Sequence, residues 1–267
     1  MSVFVLIFIC LVVCCLVMTG VWFWAERIGN AGVVDVFWAL NFPVIGVVLY
    51  FLANGLSIRK VLICSMVVLA GLRLGLHLGK RVFSHLNEEE GRYQQLRKEW
   101  TAHASRNFFW FFQFQAISNV VLAIPFFLIA MNTQPEIHFL EYTGMGLWCV
   151  AVVGEAVADA QLTKFKSNPA NKGEVCTVGL WFCSRHPNYF FQSLLWTSYF
   201  LIAVTAPLGW LAIFSPLIIF YLLFKITGIP ATEEQALRSK GDKYRMYQKT
   251  TSAFIPWFRK KHRVFDL

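Results

Sequence analysis

An all-α, polytopic membrane protein with about seven transmembrane helices and further helices at the cytosolic interface is the fold class this sequence predicts. Three observations carry that expectation. Apolar residues make up 57% of the chain and fall in long blocks, each close to the ~20 residues a helix needs to cross a bilayer. Charged residues are only 15%, against about a quarter in soluble domains. No stretch shows the apolar–polar alternation of a strand.

The first block, about 1–24, has no basic residue ahead of its apolar run and no small-residue cleavage site. It therefore reads as a retained helix rather than a signal peptide. The second and third blocks cover about 33–53 and 60–80. Residues 84–106, SHLNEEEGRYQQLRKEWTAHASR, read as an amphipathic interfacial helix. The fourth and fifth spans are about 107–131 and 139–160. The sixth, 187–204, is the shortest, and the connection at 205–206 makes it a tight hairpin with the seventh, 207–227. Residues 232–249 read as a helix broken at Gly241 and then resumed, with Thr232 and Gln235 at capping-box spacing. The whole chain, 1–267, reads as a single membrane domain.

Lys and Arg number 24 against 15 Asp and Glu. With seven spans, all the basic residues except Arg59, Lys60 and Arg73 fall on one side, in a series running from Arg27 to Arg263. That asymmetry places the C-terminus in the cytosol and the N-terminus outside, across a bacterial inner membrane or the endoplasmic reticulum alike. The positive charge thus reports orientation and contact with lipid headgroups, not nucleic acid. No obligate protein partner is inferred. Five of the seven cysteines lie in apolar spans and none forms a CxxC pair, so neither a disulfide framework nor a metal site is expected.

Ionisable groups inside a bilayer are costly, and each is a functional candidate. Arg73, His77 and Arg81 recur at i, i+4 and i+8 in the third span. Glu155 and Asp159 share a face near the cytosolic end of the fifth. Asp35 lies just inside the second. One such ion pair would be structural; the set as a whole fits the lining of a cavity open to the cytosol. Gln113, Gln115 and Asn119 in the fourth span fit a polar lining or interhelical hydrogen bonds equally.

The stretch GLWFCSRHPNYFFQ, residues 179–192, carries the densest polar signal. Pro187 suits the first turn of a helix, and a helix N-terminus attracts anions such as phosphate. Arg185 and His186 add donors there, and Asn188 and Tyr189 add groups able to grip a ring or a ribose. No GxGxxG, HExxH, GxSxG or Walker sequence is present.

These residues, with TEEQALRSKGDKYRMYQKTTSAFIPWF downstream and VVDVFW and RLGLHLGKRVFSHLNEEEGRYQQLRKEW upstream, resemble the steroid 5-alpha-reductase family. The resemblance is to the branch first described as a domain of unknown function, DUF1295, and covers nearly the whole chain. It implies an oxidoreductase that takes NADPH from the cytosol and reduces a C=C bond conjugated to a ketone in a lipid or steroid-like substrate, a hydrophobic small molecule. It implies a cofactor-binding half at about 139–258, with Asp159, Asn188 and Tyr244 or Tyr247 holding the cofactor. Lys166 stands where a basic residue would meet a phosphate, beside Arg185, His186 and Tyr189. A family Glu four residues after the Asn falls on Gln192. The steroid reductases also use a Gln-Glu pair in span two and a Tyr in span three near the substrate ketone. Here those places hold Asp35 with Trp38, and His77 with Leu78.

Adding hydride to an enone puts negative charge on the ketone oxygen and calls for a proton at the α-carbon. Asp35 and His77 are the expected donor or proton relay, and Arg81 would serve the charged oxygen or a cofactor phosphate. Arg185–Tyr189 with Glu233–Glu234 also resemble isoprenylcysteine carboxyl methyltransferases, which implies S-adenosylmethionine as the alternative cofactor. A lipid-binding or transport protein without a cofactor is the third reading.

Overall fold

A computed structural model describes residues 1–226 and 228–260; Thr227, at the end of the seventh predicted span, and Arg263, last of the basic series, lie outside them. The described residues are mostly helical. Pairing of the β type is confined among them to one isolated parallel bridge, Ser184 with Ser252. The chain forms two units: Met1–His138 with Ile202–Ser215, and Phe139–Leu201 with Pro216 onward.

In the first unit, α1 (Val3–Ile28) starts at a Ser2 cap and ends at Gly29, whose φ of 67° is left-handed. Its buried stripe is Leu6, Cys10, Cys14, Met18, Val21 and Ala25. The opposite face, with Phe4, Phe8, Leu16 and Phe23, is equally apolar and exposed. A helix apolar all round needs a hydrocarbon surrounding. α2 (Val33–Leu52) and α3 (Ser57–Phe83) pack closely because Gly71 and Gly75 let their backbones approach. A Cβ on Gly71 would sit 2.3 Å from Pro43 Cδ, and one on Gly75 2.7 Å from Leu40 Cδ2.

The expected interfacial helix over 84–106 is shorter in the structure. Turns occupy 84–90, α4 covers Gly91–Trp100, and α5 (Ala104–Leu122) continues into the membrane. The fourth span is bent by 41° where α6 (Ile124–Met131) begins, with Pro125 at its first turn. Polar residues of this span bond between helices. Gln113 Nε2 donates to Thr19 Oγ1 at 3.2 Å, Asn41 Nδ2 to Asn119 Oδ1 at 3.0 Å, and Asn119 Nδ2 to the Trp38 carbonyl at 2.9 Å. Of the two readings, the structure shows interhelical hydrogen bonds for Gln113 and Asn119. Arg59 is buried, and its guanidinium donates to the carbonyls of Gln134 and Glu136, tying the first turn of α3 to residues 132–138.

In the second unit, α7 (Phe139–Ser167) leads through the short α8 (Leu180–Cys183) to α9 (Pro187–Ala203). Pro187 opens α9, as its fixed φ and missing N–H favour. α10 (Phe214–Tyr221) continues through a π-helical turn, Leu222–Ile226, towards α11 (Ile229–Lys240) and α12 (Asp242–Thr250). The helix breaks at Gly241, φ 54°, as expected. Thr232 lies inside α11, not at its cap, and its hydroxyl donates to the Gly228 carbonyl at 2.9 Å.

Five helices are long and apolar enough to cross a membrane, or six if the bent pair is one span. α9, at 17 residues, is helical at the place of the expected sixth span but shorter than these. The last crossing segment, Gly209–Lys240, has 32 residues, more than the ~20 a bilayer needs. Its apolar run ends at Ile226, so the polar α11 lies outside the hydrocarbon.

Candidate functional site

A cluster of titratable residues lies in each unit. In the second unit it is built where α9 meets the segments that follow the last membrane crossing. Ser184 sets the entry to α9: its hydroxyl accepts from the His186 N–H at 3.1 Å and donates to the Phe254 carbonyl at 2.8 Å. Arg185 then turns into the protein. Its Nε donates to Glu233 Oε1 at 2.6 Å, and Nη1 reaches the carbonyls of Gln248 and Thr251, each at 2.9 Å. His186, 2% exposed, places Nε2 3.2 Å from the same Glu233 oxygen, while Gln248 Nε2 donates to Oε2 at 2.8 Å.

Glu233 is therefore the hub of a clamp joining RHPNY to α11 and α12. Burial pushes its carboxyl up, but the hydrogen bonds from His186, Arg185 and Gln248 together outweigh that and hold it down at about 2. Tyr244 and Tyr247 are buried in the same region. The Tyr244 hydroxyl bonds within the Glu233–Arg185 group, and the Tyr247 hydroxyl lies against the carbonyls of Trp181 and Ser184. Burial pushes both phenols above their ordinary range. The His186 and Tyr189 rings stack at 5.3 Å and 2°, and the Tyr189 hydroxyl meets Thr232 Oγ1 at 3.0 Å.

Asn188 faces the other way, with Nδ2 3.5 Å from Asp159 Oδ1 on α7, and its Oδ1 accepts from the Tyr189 N–H at 3.0 Å. This contact is the first rung of a ladder between antiparallel α7 and α9. One turn further along, the Gln192 amide, oriented to satisfy its neighbours, donates to both oxygens of buried Glu155 at 2.8 and 3.0 Å and accepts from Trp196 Nε1 at 3.0 Å. Beyond that, Trp148 Nε1 donates to the Tyr199 hydroxyl at 3.1 Å. Where the resemblance puts a carboxylate at 192, this chain carries it on the facing helix, at Glu155. Lys166 is exposed, two turns beyond Asp159.

The cluster of the first unit centres on Asp35. The Tyr93 hydroxyl donates to its Oδ1 at 2.7 Å, and Arg81 Nη2 lies 3.5 Å from Oδ2. Arg81 Nε also pairs with Glu90 at 2.9 Å. Beside them a cavity of about 430 Å³ is lined by Asn30, Arg81, His85, Glu88, Glu90 and Gln94 among others. His77 is half-buried, one turn before Arg81 on α3.

Of the residues expected at a site, the structure brings together Arg185, His186 and Tyr244 around Glu233, Tyr247 with the carbonyls of Trp181 and Ser184, Asn188 with Asp159, and Asp35 with Arg81. Sequence reasoning passed over Tyr93 as a partner for Asp35, Glu233 as the partner of Arg185, and the Glu155–Gln192 pair. The matching i, i+4 spacing of Glu155–Asp159 and Asn188–Gln192 was the available signal for the ladder. Among the described residues no group of His, Cys, Asp or Glu is arranged to hold a metal ion.

A family model described as a protein of unknown function, DUF1295, matches residues 21–251. No curated protein and no solved structure matches the chain.

Proposed function

The chain belongs to the DUF1295 family, and we propose that this member is a membrane oxidoreductase that uses NADPH to reduce a C=C bond conjugated to a ketone in a hydrophobic small molecule. One observation carries the reading: Asn188 and Asp159, 29 positions apart and both implied by the resemblance to the steroid 5-alpha-reductase family, stand in contact at 3.5 Å. A buried carboxylate beside an amide, with exposed Lys166 further along the same helix, is a donor and acceptor set that fits ribose hydroxyls and a phosphate. NADPH, when bound, would supply the hydride.

Arg185, His186 and Tyr247 act here by holding the backbone around Asn188 in place, since their polar atoms meet partners within the protein. Tyr189 and Tyr244 bond into the same frame.

On the substrate side, Asp35 and Tyr93 supply a bonded carboxylate and phenol, the two group types that the resemblance implies, as a Glu in span two and a Tyr in span three, near the substrate ketone. When the Asp35 carboxyl carries its proton it donates to the Tyr93 oxygen, which frees the phenolic hydrogen for a ketone oxygen. Arg81, 3.5 Å from Asp35, adds positive charge beside that oxygen, and His77 one turn away serves as the relay of the second proton. The N-terminus lies outside and the C-terminus in the cytosol, which gives a soluble cofactor access to α9 and a lipid-borne substrate access from the bilayer.

One observation favours methyl transfer from S-adenosylmethionine instead. Arg185 and His186 bond directly to Glu233, so the two stretches on which the methyltransferase resemblance rests, Arg185–Tyr189 and Glu233–Glu234, meet. Thermal unfolding of the detergent-purified chain separates the two. The reductase reading expects stabilisation by NADPH, lost in Asn188→Ala with the fold intact. Stabilisation by S-adenosylmethionine alone, or unchanged NADPH affinity in Asn188→Ala, would overturn it.

A further inference from the structure

Residues 252–260 follow α12 without helix and are bonded to the entry of α9. The Arg185 N–H donates to the Ser252 carbonyl at 2.8 Å, Ser184 Oγ to the Phe254 carbonyl at 2.8 Å, and the Trp257 N–H to the Cys183 carbonyl at 3.0 Å. From Phe190 onward α9 carries no charged residue, and its polar side chains are bonded within the protein, so its entry marks the level where hydrocarbon gives way to water. The tail is held at that level by backbone bonds.

Its side chains divide accordingly. Phe254 points inward, with its ring 4.8 Å from Phe224, 5.6 Å from Phe190 and 6.2 Å from Phe220. Ile255, Trp257 and Phe258 point outward, 58, 66 and 86% exposed. Phe182 in α8 is also exposed, and the Arg259 guanidinium lies 5.4 Å over its ring. Lys260 follows. Large apolar and aromatic side chains beside basic ones, at the depth of a membrane boundary, have the composition of interfacial segments that bind anionic lipid.

We propose that the 252–260 tail is an interfacial anchor, with Ile255, Trp257 and Phe258 immersed at the headgroup–acyl boundary and Arg259 and Lys260 on the headgroups of anionic phospholipids. The anchor draws the segment after α12 against the membrane, and with it the carbonyls of Gln248 and Thr251 that Arg185 grips. The inference uses nothing of the catalytic reading and stands or falls apart from it.

The test uses the full chain labelled with 5-fluorotryptophan, reconstituted in vesicles of phosphatidylcholine alone or of phosphatidylcholine with phosphatidylglycerol at about 7:3, a ratio at which anionic headgroups attract basic side chains. The Trp257 fluorine resonance is assigned by its disappearance in Trp257→Phe. The anchor expects that line to be broadened by a nitroxide carried high on the acyl chain and spared by a water-soluble gadolinium chelate. It expects stronger nitroxide broadening in the anionic vesicles, and loss of that difference in the Arg259→Gln, Lys260→Gln variant. Broadening by the gadolinium chelate would show Trp257 in water, and shielding from both probes would show it buried against protein. Equal nitroxide broadening in the two lipids would remove the headgroup contact. Each of these three results overturns the proposal.

Discussion

Replacing Glu233 with glutamine removes the charge at the centre of the RHPNY clamp while keeping the side chain's size. Arg185 and Glu233 are 11% and 16% exposed, and the carboxylate accepts from Arg185, His186 and Gln248. Breaking a buried pair on one side costs about 3–5 kcal/mol, because the remaining charge is left without compensation. The carboxyl's fall from 4.5 to about 2 gives a similar scale, about 3 kcal/mol at 1.36 kcal/mol for each pH unit. For a chain of this size that is a melting-temperature loss of about 6–12 °C at neutral pH.

The sign with pH follows from the direction of the shift. Because the folded value lies below the unfolded one, the contribution is complete above pH 4.5 and is lost as pH falls through about 2. Thermal unfolding of both proteins in detergent at pH 7 and pH 3 reads this directly: the gap between them should shrink by about half or more at the lower pH. A variant as stable as the parent at pH 7, or a gap unchanged at pH 3, would refute the clamp.

Three further predictions concern the first unit. Gly71→Leu pushes a side chain into Pro43, whose Cδ lies 2.3 Å from the new Cβ. Forced separation of α2 and α3 should lower stability by about 3 kcal/mol or abolish folded yield, measured by monodispersity in detergent. Arg59→Ala strips two loop carbonyls of their buried donor and should cost about 2–4 kcal/mol, seen as an earlier melt and faster proteolysis at 132–138. Tyr93→Phe removes the hydroxyl on Asp35; stability should fall by only about 1 kcal/mol, while turnover of an enone, assayed by NADPH oxidation, should drop by about 100-fold. Equal turnover would remove Tyr93 from the chemistry.

Much of the architecture was legible in the sequence because it depends on local properties. Whether a block such as 3–28 prefers hydrocarbon is decided by its own side chains, and Pro187 and Gly241 act on the backbone where they stand. The interfacial helix was overdrawn at 84–90 because amphipathic composition is shared by turns and helices at a membrane surface. The shortness of the sixth helix was legible as well, 187–204 in the sequence against Pro187–Ala203 in the structure; the bend at Pro125 was passed over, although proline acts on the backbone where it stands.

The site divides the same way. Sequence alone determined that the chain is an α-helical membrane protein and singled out Asp35, Arg81, Asp159 and 185–189 as costly polar positions, since buried charge is unfavourable wherever it occurs. Only the tertiary structure decided what those groups do with one another. Arg185 finds Glu233 48 positions away, Asp35 finds Tyr93 58 positions away, and Gln192 finds Glu155 on a facing helix. A hydrogen bond is satisfied by geometry within about 3 Å, and no pattern along the chain encodes which distant partner arrives there.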